Sequence, residues 1–182
     1  MALPIFVETD ARELPSAPDD ELYEARLHQP VLAPDGSHVT WSEYSAVSGS
    51  IEVECTSEGT LISLDVTGLI PNGVYTIWNV TVKEPGFNPQ VADMNITGIG
   101  AAGKGDGSDN VFTADADGNG AITLTSGGGD LSMFGDIEPC SLTGEYEWHV
   151  VGTYHIDGQT YGPDLGPDGT VAEQFGFIFR QD

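Results

Sequence analysis

From His38 onward the chain repeats with a period of two, and that alternation commits it to β-structure. Ile51, Val53 and Cys55 alternate with Glu52 and Glu54; Ile62, Leu64 and Val66 alternate with Ser63, Asp65 and Thr67; Phe175, Phe177 and Phe179 alternate with Gln174, Gly176 and Ile178. Successive side chains on a strand point to opposite faces, so such runs make strands with one face buried. Between them stand turn signals: Pro34-Asp35-Gly36, Glu58-Gly59, Pro71-Asn72-Gly73, Asp117-Gly118-Asn119-Gly120, Asp157-Gly158 and Pro167-Asp168-Gly169. With 24 Gly and 11 Pro in 182 residues, turn formers exceed ordinary usage. The expectation is an all-β fold, an antiparallel β-sandwich or barrel of about nine or ten strands, with an N-terminal arm. Strands are expected near 38–46, 50–56, 60–67, 74–83, 94–100, 110–115, 120–126, 145–156, 159–161 and 172–180. Parallel sheets need long crossover connections, and this spacing leaves no room for them.

Residues 1–37 read as the arm and 38–182 as a single domain. The arm holds five of the eleven prolines and no sustained alternation. Within it, Asp19 to Leu27 reads as a short helix, with acids in the first turn and Pro18 just before. Segments 84–92 and 101–109 are Gly- and Pro-rich, long for loops of a compact domain, and therefore candidate sites.

Charge excludes whole classes of function. There are 29 acidic residues against five basic ones, Arg12, Arg26, Lys83, Lys104 and Arg180, for a net charge of −24. Phosphate-directed binding of nucleic acid needs clustered Lys and Arg, so nucleic acid is not an expected partner. No apolar run approaches the ~18 residues of a membrane span. The acids are spread along the whole chain, which makes acidity a property of the surface and not of a tail. Two explanations fit: adaptation to high salt, where about 3 Å of Debye length leaves little repulsion, or an acidic extracellular or calcium-loaded protein of an ordinary marine or soil organism. Having only two lysines favours the first.

The first residues, MALPIFVETDARELP, show no basic segment followed by an apolar one. The expected location is extracellular or cell-surface, as a mature form; the alternative is the cytoplasm of a halophile. Cys55 and Cys140 lie 85 residues apart, outside any CxxC. They read either as one disulfide, closing a loop worth roughly 4–5 kcal/mol, or as two buried thiols. Asn79-Val80-Thr81 and Asn95-Ile96-Thr97 are glycosylation sequons.

The stretch from Leu61 to Val82 contains Gly68-Leu69-Ile70-Pro71 followed by Tyr75. It resembles the strand–corner–strand motif of fibronectin type III and other immunoglobulin-like sandwiches. In that motif a tyrosine hydroxyl ties back to the corner backbone, and the resemblance assigns this part to Tyr75. It implies a sandwich over residues 61–82 and carries no activity.

Candidate chemistry is sparse. Asp115, Asp117 and Asn119 place side-chain oxygens at alternate positions before Gly120, like the front half of a calcium loop, and Asp106 or Asp109 are nearest to complete the set. Calcium is the cofactor these residues suggest; a plain hairpin turn uses the same residue types. Glu147, His149, His155 and Asp157 are the candidate acid–base residues, expected on one face of a long strand. About 20 Å separates the two histidines along it, so one metal binds both only if Gly152 bends the chain. His155 and Asp157 are expected as a polar pair. Trp148, Tyr154 and Phe177 are candidate lining for a small-molecule cavity. Trp41, Trp78 and Trp148 read as a sugar platform or as core. No nucleophile elbow, phosphate loop or dinucleotide motif is present. The expected function is an acidic, halophilic-type secreted or surface module with a binding or structural role, its partner a small molecule or an extracellular one. The alternative is a small β-barrel enzyme, isomerase- or cyclase-like, using an aromatic cavity and a His–carboxylate pair.

Overall fold

A computed structural model of the chain describes Phe6–Val7, Pro15, residues 17–83 and residues 96–180. Among the described residues eleven strands are defined: β1 (Phe6–Val7), β2 (Ser48–Thr56), β3 (Gly59–Thr67), β4 (Val74–Val82), β5 (Ile96–Ala101), β6 (Val111–Thr113), β7 (Gly120–Ser126), β8 (Gly129–Asp130), β9 (Asp136–Ile137), β10 (Glu147–His155) and β11 (Val171–Phe179). All pairings are antiparallel. One sheet runs β1-β11-β10-β4-β5, with β6 on the first residues of β4; a second runs β2-β3-β7; β8 and β9 form a small hairpin. The fold is all-β. Among the described residues no helix is long and apolar enough to cross a membrane.

The two larger sheets share one core. Ile51, Ile62, Leu64, Val66 and Leu124 from the three-stranded sheet join Tyr75, Ile77, Trp148, Val150, Tyr154, Phe175 and Phe177 from the other. This is why the alternation is so regular in β3, where Ile62, Leu64 and Val66 are buried while Asp65 and Thr67 are exposed. Burial removes apolar surface from water at roughly 25 cal/mol per Å², the main drive for bringing the sheets together. Cys55 and Cys140 lie at disulfide distance, with Cα atoms 5.2 Å apart, tying β2 to the 3-10 turn Ser141–Thr143.

The corner assigned to Tyr75 forms. Tyr75 is fully buried, and its hydroxyl accepts from the Ile70 backbone N–H at 2.8 Å while donating to Gln174 Oε1 at 2.5 Å. Gln174 in turn donates to the Tyr44 carbonyl at 3.0 Å. Burial raises the Tyr75 pKa above the usual 10, which keeps the donor proton in place.

Three expected elements differ. The strand expected at 38–46 contains the helix α1 (Trp41–Tyr44), because Thr40 and Glu43 close a capping box, each side chain taking the other's backbone N–H. The helix expected at 19–27 is absent. That stretch makes the isolated bridges Glu21↔Thr40 and Tyr23↔Pro30 and turns over residues 25–27, and Leu22, Val31 and Val39 reach the core. Two turns of isolated helix are marginal in water. The buried Glu24 carboxylate instead gathers the backbone N–H groups of Arg26, Leu27 and Gln29 at 2.7–2.8 Å. Residues 159–161 make only the isolated bridge Tyr161↔Asp164.

Candidate functional site

The candidate residues gather on β10, the strand between β4 and β11. Its register with β4 runs unbroken from Glu147↔Val82 to His155↔Val74, while its register with β11 shifts between Gly152 and Thr153. Gly152 is needed there: a Cβ would lie 2.1 Å from the Phe175 ring. The strand stays continuous along β4, so the shift does not fold His149 and His155 together onto one metal. All nine residues of β10 are buried. Trp148, Val150 and Tyr154 face the core shared by the sheets. Val151 packs on the other side of the sheet with Trp78, Ala101 and Leu165. The polar residues of the strand are therefore enclosed and not on a wet surface.

Glu147 is the centre of one polar chain. Its fully buried side chain accepts from His149 Nε2 at 2.6 Å and from Arg180 Nε at 2.5 Å. A carboxylate only accepts, so the His149 proton sits on Nε2. Burial pushes the His149 pKa below its usual 6.5, with Glu147 pulling the other way, so the ring is neutral at pH 7. Arg180, half-exposed, joins this buried pair to the surface.

His155 heads a second chain. Its Nε2 lies 2.7 Å from Thr76 Oγ1, which also accepts from Trp78 Nε1 at 2.7 Å. Burial lowers its pKa too, against the charge of Asp157. The expected His155–Asp157 hydrogen bond is not made. Asp157 accepts from the Gln159 backbone and the Tyr161 hydroxyl, and the Tyr161 ring lies 6.3 Å from the His155 ring. A tight turn draws the carboxylate to its own backbone, leaving it only a through-space effect on the imidazole.

The expected ligand-lining residues are core. Trp148, Tyr154 and Phe177 are at most 1% exposed. Trp148 stacks on Phe179 at 4.6 Å and donates to Asn79 Oδ1 at 3.0 Å. Tyr154 lies 5.4 Å from the Tyr75 ring and donates to the Leu32 carbonyl at 2.7 Å; burial pushes its pKa up to about 12. Of the tryptophans read as a sugar platform, Trp78 is also buried.

The residues read as calcium ligands make hydrogen bonds within their own loops. Asp115 Oδ1 accepts from the backbone of Asp117 and Asn119 at 2.9 and 2.8 Å, which lowers its pKa and closes the turn. Asp106 accepts from Ser108 N and Asp109 from Lys104 N, each inside its own loop. Among the described residues no group of three or more His, Cys, Asp or Glu side chains could hold a metal ion. Asp and Asn serve here as turn residues that bind their own backbone. The loop 101–109 packs against the one near Gly162, where the Gly107 backbone runs so close that a Cβ would lie 2.0 Å from the Gly162 carbonyl oxygen.

The sequon at Asn79 is closed by the fold. Asn79 is fully buried and donates to Ser126 Oγ at 2.6 Å. Asn95 and the 84–92 loop lie outside the described residues. Sequence reasoning missed Arg180, Thr76, Asn79 and Gln174. Each meets its partner across strands, and only register could have paired them. The chain matches no family model, and no curated protein is similar to it.

Proposed function

We propose that the chain is an acidic β-sandwich module working outside the cell or on its surface, in salt-rich surroundings, in a binding or structural role. The observation that carries this reading is the filled core. Trp148, Tyr154 and Phe177 stand where a small barrel enzyme would need an open cavity. Groups able to meet another molecule then lie on edges and loops. The Cys55–Cys140 pair supports an oxidising compartment. The net charge of −24 supports solubility in brine. The enzyme reading keeps one observation, the His149–Glu147 pair at 2.6 Å, since a carboxylate that orients an imidazole is half of an acid–base device.

Native cells fractionated and alkylated with and without reductant test the location: the protein should be in the surface or external fraction and take up label only after reduction. Purified protein should melt at rising temperature from about 0.1 to about 3 M KCl, a range over which Debye screening is already short. Cytoplasmic protein with free thiols and a flat melting curve would overturn the reading.

A further inference from the structure

The edge of the three-stranded sheet is open. Strand β2 pairs with β3 without a break from Ser48↔Thr67 to Thr56↔Gly59, and among the described residues no strand lies on its other side. Ser48, Ser50, Glu52, Glu54, Cys55 and Thr56 are exposed. An edge strand offers a row of backbone N–H and C=O groups to any chain laid beside it. The usual guards are proline, lysine, bulges and very short length. β2 has no proline or lysine, pairs in unbroken register and is nine residues long. Among the strand's own residues the guard is the outward pair Glu52 and Glu54. Beyond Ser50 the outer surface dips into a shallow depression lined by Asp65, Thr67, Asp115 and Asn119.

We propose that β2 is a docking edge for an extended segment of a partner protein in which basic and apolar residues alternate. A strand added here continues the pleat, so its side chains fall alternately on the two faces. Those on the outer face stand about 5 Å from Glu52 and Glu54, the reach of a cross-strand charge pair. A third, one pleat further on, reaches toward Asp65 in the depression. Those on the inner face meet buried Ile51 and half-buried Val53. Charge complementarity thus selects Lys or Arg outside and apolar residues inside. The same carboxylates turn away a second copy of this chain, because two β2 edges side by side bring Glu rows together. The proposal rests on the binding role put forward above and is independent of location.

The test uses the full chain and a synthetic peptide of alternating Lys and Val, titrated at about 0.15 M salt, where surface charges are screened beyond about 8 Å. Backbone amide exchange should slow in residues 48–56. The double variant Glu52→Lys, Glu54→Lys should bind this peptide about tenfold more weakly and take up an alternating Glu and Val peptide instead. Both side chains are exposed, and an unchanged melting temperature shows that the variant is folded. A peptide of the same composition with all Lys first and all Val after separates strand addition from general attraction to an acidic protein. Equal binding of that block peptide, slowed exchange elsewhere than β2, or an unreversed preference in the variant each overturns the proposal. A chain that binds the alternating peptide but sits in the cytoplasm overturns the location alone; an external chain that ignores the peptide overturns the docking edge alone.

Discussion

Strands β2 and β10 are both nine residues long and both alternate polar with apolar side chains, yet they live in different environments. In β2 the polar set, Ser50, Glu52 and Glu54, faces water. In β10 the polar set, Glu147, His149, Thr153 and His155, is as buried as the apolar one. Period two tells which residues share a face; it does not tell whether the polar face is wet. β2 is an edge strand with one covered face, whereas β10 packs Trp148, Val150 and Tyr154 into the shared core on one face and Val151 against Trp78, Ala101 and Leu165 on the other. A polar side chain on β2 costs nothing. One on β10 must find a partner, because an unpaired buried polar group costs about 1–3 kcal/mol. Glu147 and His149 find Arg180 and each other, and His155 finds Thr76 through Nε2, while Thr153 Oγ1 and His155 Nδ1 are buried without a hydrogen bond among the described residues.

The largest test of this contrast lies at the end of β2. Reducing Cys55–Cys140, which closes an 85-residue separation, should remove about 4–5 kcal/mol by the loop-entropy estimate. Denaturant midpoints with and without reductant measure it. An unchanged midpoint would mean that the three-stranded sheet needs no tether.

Trp148→Ala should cost about 3–5 kcal/mol, through the lost Phe179 stack, the cavity left behind and the unpaired Asn79 oxygen. Glu52→Ala on β2 should stay within about 0.5 kcal/mol. Urea titrations of the two variants side by side read the difference, and similar losses would erase the distinction between the strands.

The buried histidines give β10 a pH signature that β2 lacks. The folded-state pKa values of His149 and His155 are lowered, so below the usual 6.5 the unfolded chain takes up protons first. Stability should be level above about pH 7 and fall as pH drops through 6.5, by at most about 1.4 kcal/mol per pH unit for each histidine until its folded pKa is reached. His149→Gln with His155→Gln should flatten that window. The lowered carboxylates Asp35, Asp106 and Asp115 act in another window, contributing above their usual 3.8 and losing that contribution as pH falls below it. Midpoints measured from pH 8 to about pH 5 therefore isolate the histidines. A slope that survives the double variant would place the acid sensitivity elsewhere.

The smallest effect belongs to the Asp115 turn, next to β7. Since Asp115 binds its own backbone, millimolar Ca²⁺ at fixed ionic strength should leave the melting temperature unchanged, and Asp115→Ala should lower it slightly. A rise with Ca²⁺ that Asp117→Ala abolishes would restore a calcium site there.

Local chemistry made the strands legible. The alternation at Ile51–Cys55 and Ile62–Val66 marked their inner faces, and the Gly68-to-Tyr75 corner marked a sandwich turn, because side-chain periodicity and turn residues act within a few positions of one another. The capping box Thr40-x-x-Glu43 was equally local, but it is masked by the alternation around it. Glu24 and Asp115 also act locally; nothing in their residue type distinguished a carboxylate that staples its own loop from one that waits for a metal. What the tertiary structure alone decided was which faces are dry. Burial of Glu147 and His149 depends on the second face of the β10 sheet being covered as well as the first, and the partner Arg180 comes from the neighbouring strand's end, 33 positions away. Thr76 meets His155 across 79 positions, and Gln174 meets Tyr75 across 99. Such contacts are fixed by strand order and register, which arise from packing the whole core at once and leave no trace in the spacing of the residues that make them.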